Sequence, residues 1–141
     1  MKLVINKCFG GFSLSMLAQK EYLKLKGKKA FFYKQTKFKF NGGIDEYTRI
    51  DDLSEKDIFA HTYTKDFGKT FTPAKGNEKY YWYYGNIERT DKDLIAVVEK
   101  LKEKASGQCG QLEIVEIPDD VSYEITDYDG IERVEETHRS W

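Results

Sequence analysis

The fold of this 141-residue chain is decided near its start, in residues 2–27, KLVINKCFGGFSLSMLAQKEYLKLKG. Residues 2–6 form a short apolar run typical of a strand, and a glycine pair soon follows it. After the glycines, apolar side chains recur at helical spacing, at Leu14, Leu17, Ala18, Tyr22 and Leu25. Gly27 can end this helix, and Ser13 is the expected N-cap with Ser15 as the alternative.

Residues 89–107, RTDKDLIAVVEKLKEKASG, predict a second helix with Thr90 as its N-cap and Gly107 at its end. Several other runs are strand-like, and Asn41-Gly42-Gly43 has the chemistry of a hairpin turn. These runs are AFFYKQ (30–35), KFKFNGGIDEYTRI (37–50), IFAHTYT (58–64), KYYWYYGNIE (79–88), LEIVEIP (112–118), SYEITDYDG (122–130) and IERVEETHRSW (131–141). The pattern predicts an α+β fold, two helices packed on a mainly antiparallel β-sheet, in a single domain over residues 1–141.

Aromatic residues make up 15% of the chain, with ten tyrosines and nine phenylalanines, which is high for a small domain. Five of them follow one another inside the predicted strand over residues 79–88. A strand of this composition has no polar face, so both of its faces need cover. We therefore expect a subunit interface or a ligand surface here, and a homo-oligomer that is at least a dimer.

Charge is unevenly distributed, although the net charge is only −1. Residues 1–40 carry ten lysines against one acid, a balance of +9, and residues 111–141 carry ten acids against two arginines, a balance of −8. Two interpretations stay open: solvated faces that attract each other within or between subunits, or a basic surface for phosphate groups. A nucleic-acid polymer is disfavoured as a partner, because the chain is not net basic.

Metal and catalytic patterns are missing from the sequence. The two cysteines, Cys8 and Cys109, and the two histidines, His61 and His138, have no metal-type spacing. We expect no metal, no cofactor and no catalytic residue, so the protein is predicted not to be an enzyme. No stretch approaches the roughly 20 apolar residues of a membrane span, and no apolar leader follows Met1, which predicts a cytoplasmic protein with reduced thiols.

Residues 8–13, CFGGFS, combine bare backbone, aromatic rings and a helix start. Glycines permit dihedral angles at which successive N–H groups converge on an anion, and a helix start adds further N–H groups. The alternative is a plain strand-to-helix turn with both phenylalanines in the core. The candidate ligand-binding residues of this segment are Cys8, Phe9, Gly10, Gly11, Phe12 and Ser13.

Arginine is scarce, with four residues in the chain, and three of them lie beside features suited to anions or stacked rings. One directly precedes the second helix, and the other two lie in the acidic C-terminal segment. The alternative for each is a surface ion pair. The candidates that these positions add to the site are Arg89, Thr90, Asp91, Arg133, Arg139 and Trp141.

Three long segments, at both ends and in the second helix, resemble a widespread family of small phage and prophage proteins. The segments are MKLVINKCFGGFSLS (1–15), RTDKDLIAVVEKL (89–101) and LEIVEIPDDVSYEITDYDGIERVEETHRSW (112–141). Characterised members of this family are anti-defence sponges directed against the Thoeris system. The resemblance implies a protein that sequesters a cyclic ADP-ribose isomer, glycocyclic ADP-ribose, without cleaving it, so that the Thoeris effector is not activated.

The resemblance has further implications for ligands and assembly. It implies a protein of the infected or lysogenic host's cytoplasm, an oligomer as large as a hexamer and, for some members, separate binding of the cyclic di- or trinucleotides of CBASS defence. A cyclic ADP-ribose offers a pyrophosphate to N–H groups and arginines, and an adenine to an aromatic face. Two other functions stay open: a nucleotide-cleaving enzyme such as a phosphodiesterase, and a direct protein inhibitor of the effector.

Overall fold

The computed structural model describes residues 1–37, 45–53, 60–107 and 110–137. The helices in these ranges are α1 (Met16–Leu25) and α2 (Lys92–Leu101). The strands are β1 (Lys2–Asn6), β2 (Phe31–Lys37), β3 (Glu46–Ile50), β4 (His61–Tyr63), β5 (Thr70–Phe71), β6 (Tyr81–Trp82), β7 (Leu112–Glu116), β8 (Tyr123–Tyr128) and β9 (Ile131–Glu136). Several predicted features lie outside the described residues: the turn at Asn41-Gly42-Gly43, Cys109, His138, Arg139 and Trp141.

All strand pairs in the described residues are antiparallel, which confirms the α+β class. The strands form three separate sheets and not the one sheet that the sequence predicts. Strand β1 pairs with β7, the order β5-β3-β2-β4-β6 makes a five-stranded sheet, and β8 pairs with β9 in a two-stranded ribbon.

Helix α1 lies between two layers and buries side chains towards both. On one side, Ala18 and Tyr22 pack with α2 and with the β1–β7 pair in a core that includes Val4 and Leu94. On the other side, Met16 packs against the five-stranded sheet. Burial on two faces explains why apolar residues extend beyond the single stripe of a surface helix.

Helix α1 begins at Met16 with Ser15 as its N-cap, so the prediction of Ser13 is wrong. Ser15 Oγ accepts a hydrogen bond from the Ala18 N–H at 3.1 Å. Leu14 forms a β-bridge with Ser106, and this pairing keeps the chain extended for two residues longer than the local pattern indicates. Gly27 follows the helix with φ +76°, as the sequence predicts.

Helix α2 begins one residue later than predicted, because its N-cap is Asp91 and not Thr90. The Asp91 carboxylate accepts hydrogen bonds from the N–H groups of Asp93 at 2.8 Å and Leu94 at 3.4 Å. The helix ends at Leu101, and Lys102, with φ 53°, starts a 3-10 turn that replaces the last predicted helical turn.

The aromatic run over residues 79–88 does not form a continuous strand, which corrects the sequence prediction. Only Tyr81–Trp82 are extended, and 3-10 turns lie at Asn77–Tyr80 and Tyr84–Asn86. Both faces of the run are nevertheless aromatic. Trp82 faces α1, where it stacks on Tyr22, whereas Tyr81 contacts Tyr63 on the opposite face of the sheet.

No helix among the described residues is both long enough and apolar enough to span a bilayer.

Candidate ligand-binding site

A groove of about 350 Å³ lies where the aromatic run meets the start of α2. Three aromatic rings and several polar side chains surround it. The lining residues are Tyr22, Trp82, Tyr83, Asn86, Ile87, Glu88, Thr90 and Asp91. Aromatic faces combined with a few polar groups are the usual composition of a small-molecule site.

The aromatic wall of the groove is built by two elements. Tyr22 of α1 stacks on Trp82 of β6, with ring centroids 5.8 Å apart and planes inclined by 29°. Tyr83 follows and remains 51% exposed. The stacked pair, of which Tyr22 is buried and Trp82 partly buried, and the exposed Tyr83 ring together offer aromatic surface to a planar ligand.

Asp91 connects the groove to both helices. Its carboxylate accepts a hydrogen bond from the Tyr22 hydroxyl at 2.8 Å and caps α2. Lys26 Nζ lies 3.3 Å from Asp91 Oδ2 and 2.8 Å from Asp93 Oδ2, so two carboxylates neutralise this lysine. The Asp91 carboxylate and the Lys26 ammonium group are therefore both engaged within the protein, and Asp91 acts as a structural wall of the groove.

The ionisation of Tyr22 and Asp91 is shifted by these contacts. Burial, together with the hydrogen bond to Asp91, raises the pKa of Tyr22 to about 12. Burial alone raises the pKa of Asp91, but hydrogen bonds from Tyr22, from two backbone N–H groups and from Lys26 outweigh it and hold the pKa below its ordinary value. Asp91 is thus held as a carboxylate and Tyr22 as a neutral hydroxyl.

The opening turn between β1 and α1 carries two glycines in left-handed conformations, with φ 105° at Gly10 and 88° at Gly11. Their backbone is covered by the tip of the β8–β9 ribbon. A Cβ atom placed on Gly130 would lie 2.3 Å from the Gly11 nitrogen and 2.7 Å from the Gly10 nitrogen. The turn therefore needs glycine for its dihedral angles, and the ribbon tip needs glycine for close approach.

Asn6, fully buried at the end of β1, organises this turn. Its side-chain amide donates to the carbonyl oxygens of Cys8 at 2.7 Å and Gly130 at 2.6 Å. Its side-chain oxygen accepts from the Gln111 N–H at 2.8 Å. A single asparagine thus joins the opening turn, the start of β7 and the ribbon tip.

Arg89 lies beside this turn with its guanidinium on the ring of Phe12, 3.7 Å from the ring centroid. Both carboxylate oxygens of Glu132 pair with it, and Nη2 lies 2.8 Å from Oε2. Glu132, on β9, is only 5% exposed and also accepts the Asn6 N–H at 2.7 Å. The ion pair that the sequence left as an alternative is present, and it is internal.

The predicted site residues fall into two neighbouring groups. Thr90 and Asp91 line the groove, whereas residues 8–13 and Arg89 lie at the opening turn. Phe12 packs against the core, but Phe9 is 60% exposed. Arg133 is exposed on β9, on the ribbon face opposite Glu132. Arg139 and Trp141 lie outside the described residues.

Several site residues were not among the sequence candidates. The groove residues Trp82 and Tyr83 lie in the aromatic run that the sequence marked as a surface, so their lack of alternation was the available signal. Asn6 and Glu132 act through contacts with residues distant in the chain. Nothing in the local pattern around Glu132 separates it from the other acids of an acidic segment.

Among the residues that the structure describes, no three His, Cys, Asp or Glu side chains are grouped to hold a metal ion. Comparison of the chain with models of protein families, with curated proteins and with solved structures finds no match.

Proposed function

We propose that this protein is an anti-defence sponge that binds and sequesters a cyclic ADP-ribose isomer, glycocyclic ADP-ribose, without cleaving it. The groove at Trp82, Tyr83 and Asp91 is the observation that carries the proposal. By removing the signal in the host cytoplasm, the protein would prevent activation of a Thoeris effector. The family resemblance of the two chain ends and α2 supports the choice of ligand.

The groove suits the adenine and ribose parts of such a ligand. Its size, about 350 Å³, is within the usual range for small-molecule sites. Trp82 and Tyr83 offer faces on which a base can stack. Asn86 and Glu88, which also line the groove, offer oxygen atoms to which ribose hydroxyls can donate.

The pyrophosphate needs positive charge, and the groove lining holds none. Arg89 does not line the groove, but it directly precedes the groove residue Thr90. Its guanidinium, which pairs with Glu132, has the planar fork suited to phosphate oxygens. We assign Arg89 to the pyrophosphate end of the ligand. Because the ribbon tip covers the backbone of Gly10 and Gly11, residues 8–13 would contact the ligand only at its edge.

A homo-oligomer is part of the same proposal. Two tyrosines of the aromatic run, Tyr81 and Tyr83, are 45% and 51% exposed. Tyr81 contacts Tyr63, and Tyr83 lines the groove. Exposed tyrosine is typical of protein contacts. Sedimentation should show at least a dimer at micromolar concentration, and a 16.5 kDa species would contradict it.

Binding by the groove is tested with Tyr83→Ala. Because Tyr83 is half exposed, its truncation spares the core but removes a stacking face, worth about 1 to 3 kcal/mol in base binding. We expect calorimetry with glycocyclic ADP-ribose to show an affinity lowered about 5- to 150-fold, the equivalent of that loss. Tyr128→Ala is the matched control, since Tyr128 is 76% exposed and outside the groove.

Equal affinity of wild type and Tyr83→Ala would remove the groove from the site. Binding of the defence effector in the absence of ligand would favour a direct protein inhibitor instead. The same exposed tyrosines support that alternative. Binding of the nucleotide and binding of the effector should therefore be measured on the same variants.

A further inference from the structure

The β8–β9 ribbon is attached to the rest of the protein at few points. It forms its own two-stranded sheet. Within the described residues, the hydrogen bonds that tie it to the body all reach Gly130 or Glu132. An isolated two-stranded ribbon is marginally stable in water, so its position depends on these contacts.

Glu132 is held by donors that would also suit a phosphate group. Its two oxygens meet two nitrogen atoms of Arg89, and one oxygen also accepts the Asn6 N–H. Phe12 covers one face of the guanidinium. A guanidinium fork with an added backbone N–H is a common arrangement for carboxylate and phosphate alike.

We propose that Arg89, Phe12 and the Asn6 N–H form an anion site which Glu132 fills in the free protein, and that a phosphate group displaces Glu132 and frees the ribbon. This rests on the proposed function for the identity of the natural ligand, a pyrophosphate. The anion site does not depend on the proposed function. It is inferred from the pairing of the buried Glu132 carboxylate with Arg89, whose guanidinium stacks on Phe12.

Displacement follows from the charges at the site. Arg89 cannot neutralise Glu132 and a phosphate together, because the two anions would repel each other at close range. A pyrophosphate has more charge and more acceptor oxygens than one carboxylate, and Glu132 regains hydration when it leaves. Release of Glu132 removes every hydrogen bond between the described part of the ribbon and the body except the one from the Asn6 amide to the Gly130 carbonyl oxygen.

The test uses inorganic pyrophosphate and Glu132→Gln. The variant keeps the shape of the side chain but leaves the charge of Arg89 without its carboxylate. We expect it to bind pyrophosphate about tenfold tighter than wild type does, as charge-assisted hydrogen bonds become available. Glu135→Gln, an exposed acid on the same strand, is the matched control and should bind like wild type.

The gain in pyrophosphate affinity must depend on Arg89. The double variant Arg89→Gln/Glu132→Gln should lose the added affinity, because two amides replace the ion pair and no charge remains. Equal pyrophosphate binding by Glu132→Gln and wild type would overturn the proposal, and so would a gain that survives in the double variant.

Hydrogen exchange on the wild-type protein tests the same point if Glu132→Gln does not fold. Saturating pyrophosphate should speed exchange of the backbone amides in β8 and β9 and leave those of α1 unchanged. Slower or unchanged exchange in the ribbon would contradict displacement. Neither experiment uses the signal nucleotide. Failure to bind glycocyclic ADP-ribose would therefore not contradict the anion site, and failure to bind pyrophosphate in these tests would not by itself contradict the sponge function.

Discussion

Asp91 carries more of the local structure than any other residue of the groove. It caps α2, accepts the Tyr22 hydroxyl, pairs with Lys26 and lines the groove. Because one carboxylate serves all four purposes, the start of α2 and the wall of the groove are fixed relative to each other. Two substitutions at Asp91 distinguish the stabilisation due to helix capping from the stabilisation due to the negative charge.

Asp91→Asn should be milder than Asp91→Ala. Asparagine caps helices about as well as aspartate, whereas alanine loses the cap, at about 1 kcal/mol. Alanine also leaves the largely buried Tyr22 hydroxyl without its acceptor, at about 1 kcal/mol more. Urea denaturation should therefore place Asp91→Ala about 2 kcal/mol below wild type and Asp91→Asn clearly closer to it. Equal losses in the two variants would show that the cap contributes nothing.

The raised pKa of Tyr22 predicts how the free energy of unfolding falls at alkaline pH. Its pKa in the folded protein is about 12, above the ordinary value of 10.0. A group whose pKa is raised by folding contributes stability that is complete below its unfolded pKa and is lost as the pH rises through the folded value. The contribution of Tyr22 is thus present at pH 10 and disappears towards pH 12.

Tyr22→Phe should reduce this alkaline loss, because phenylalanine has no proton to release. It should not abolish the loss, because burial also raises the pKa of Tyr63 to about 12. The measurement is the free energy of unfolding in urea between pH 9 and 12, with Tyr128→Phe as a control at an exposed position. A pH dependence in Tyr22→Phe as steep as that of wild type would contradict the assignment.

At the scale of elements, one glycine determines how closely the tip of the β8–β9 ribbon packs on the opening turn. Gly130 and Gly68 share φ +89°, but only Gly130 has a neighbour where a Cβ would lie. Alanine at either position takes on a left-handed conformation, which costs about 1 to 2 kcal/mol. The two substitutions therefore differ in the contact with the opening turn and not in backbone strain.

Gly130→Ala should destabilise the protein more than Gly68→Ala does. It should also raise amide exchange throughout Tyr123–Tyr128 and Ile131–Glu136, since the new methyl group pushes the tip away from Gly10 and Gly11. Thermal unfolding and hydrogen exchange check the two effects. If Gly68→Ala loosened the ribbon equally, the contact at the tip would not hold it.

The elements that local pattern specifies were predicted well. Residues 2–27 form the expected strand, turn and helix, because hydrophobic spacing and the closing glycine are local properties. The cap of α1 was predicted two residues early, because the pairing of Leu14 with Ser106 is a long-range contact. The aromatic run was predicted as one strand because propensity does not reveal the 3-10 turns at Asn77–Tyr80 and Tyr84–Asn86 that interrupt it.

The candidate site was predicted in part for the same reason. The sequence marked Arg89, Asp91 and the glycine pair, which are set apart by type or by position. The sequence did not indicate that Arg89 pairs with Glu132, because the β8–β9 ribbon is placed beside Arg89 only by the tertiary fold. A functional arginine and a structural arginine look alike until their partners are known.

At the scale of the whole molecule, α1 joins two layers and the groove opens at their junction. Tyr22 belongs to the helix, Trp82 to the five-stranded sheet and Asp91 to the start of α2. A ligand in the groove would therefore contact both layers. Ligand binding should stabilise the entire domain by mass action. The increase in the free energy of unfolding is set by the ratio of the ligand concentration to Kd.

The central claim is that the protein holds its nucleotide without changing it, and recovery of the ligand tests this most directly. The protein is mixed with glycocyclic ADP-ribose, freed of unbound ligand, denatured by heat and analysed by mass spectrometry. The account predicts that wild type releases the ligand at its original mass after prolonged incubation and that Tyr83→Ala retains much less. Release of ADP-ribose or another product would identify an enzyme, and release of no nucleotide from wild type would contradict sequestration.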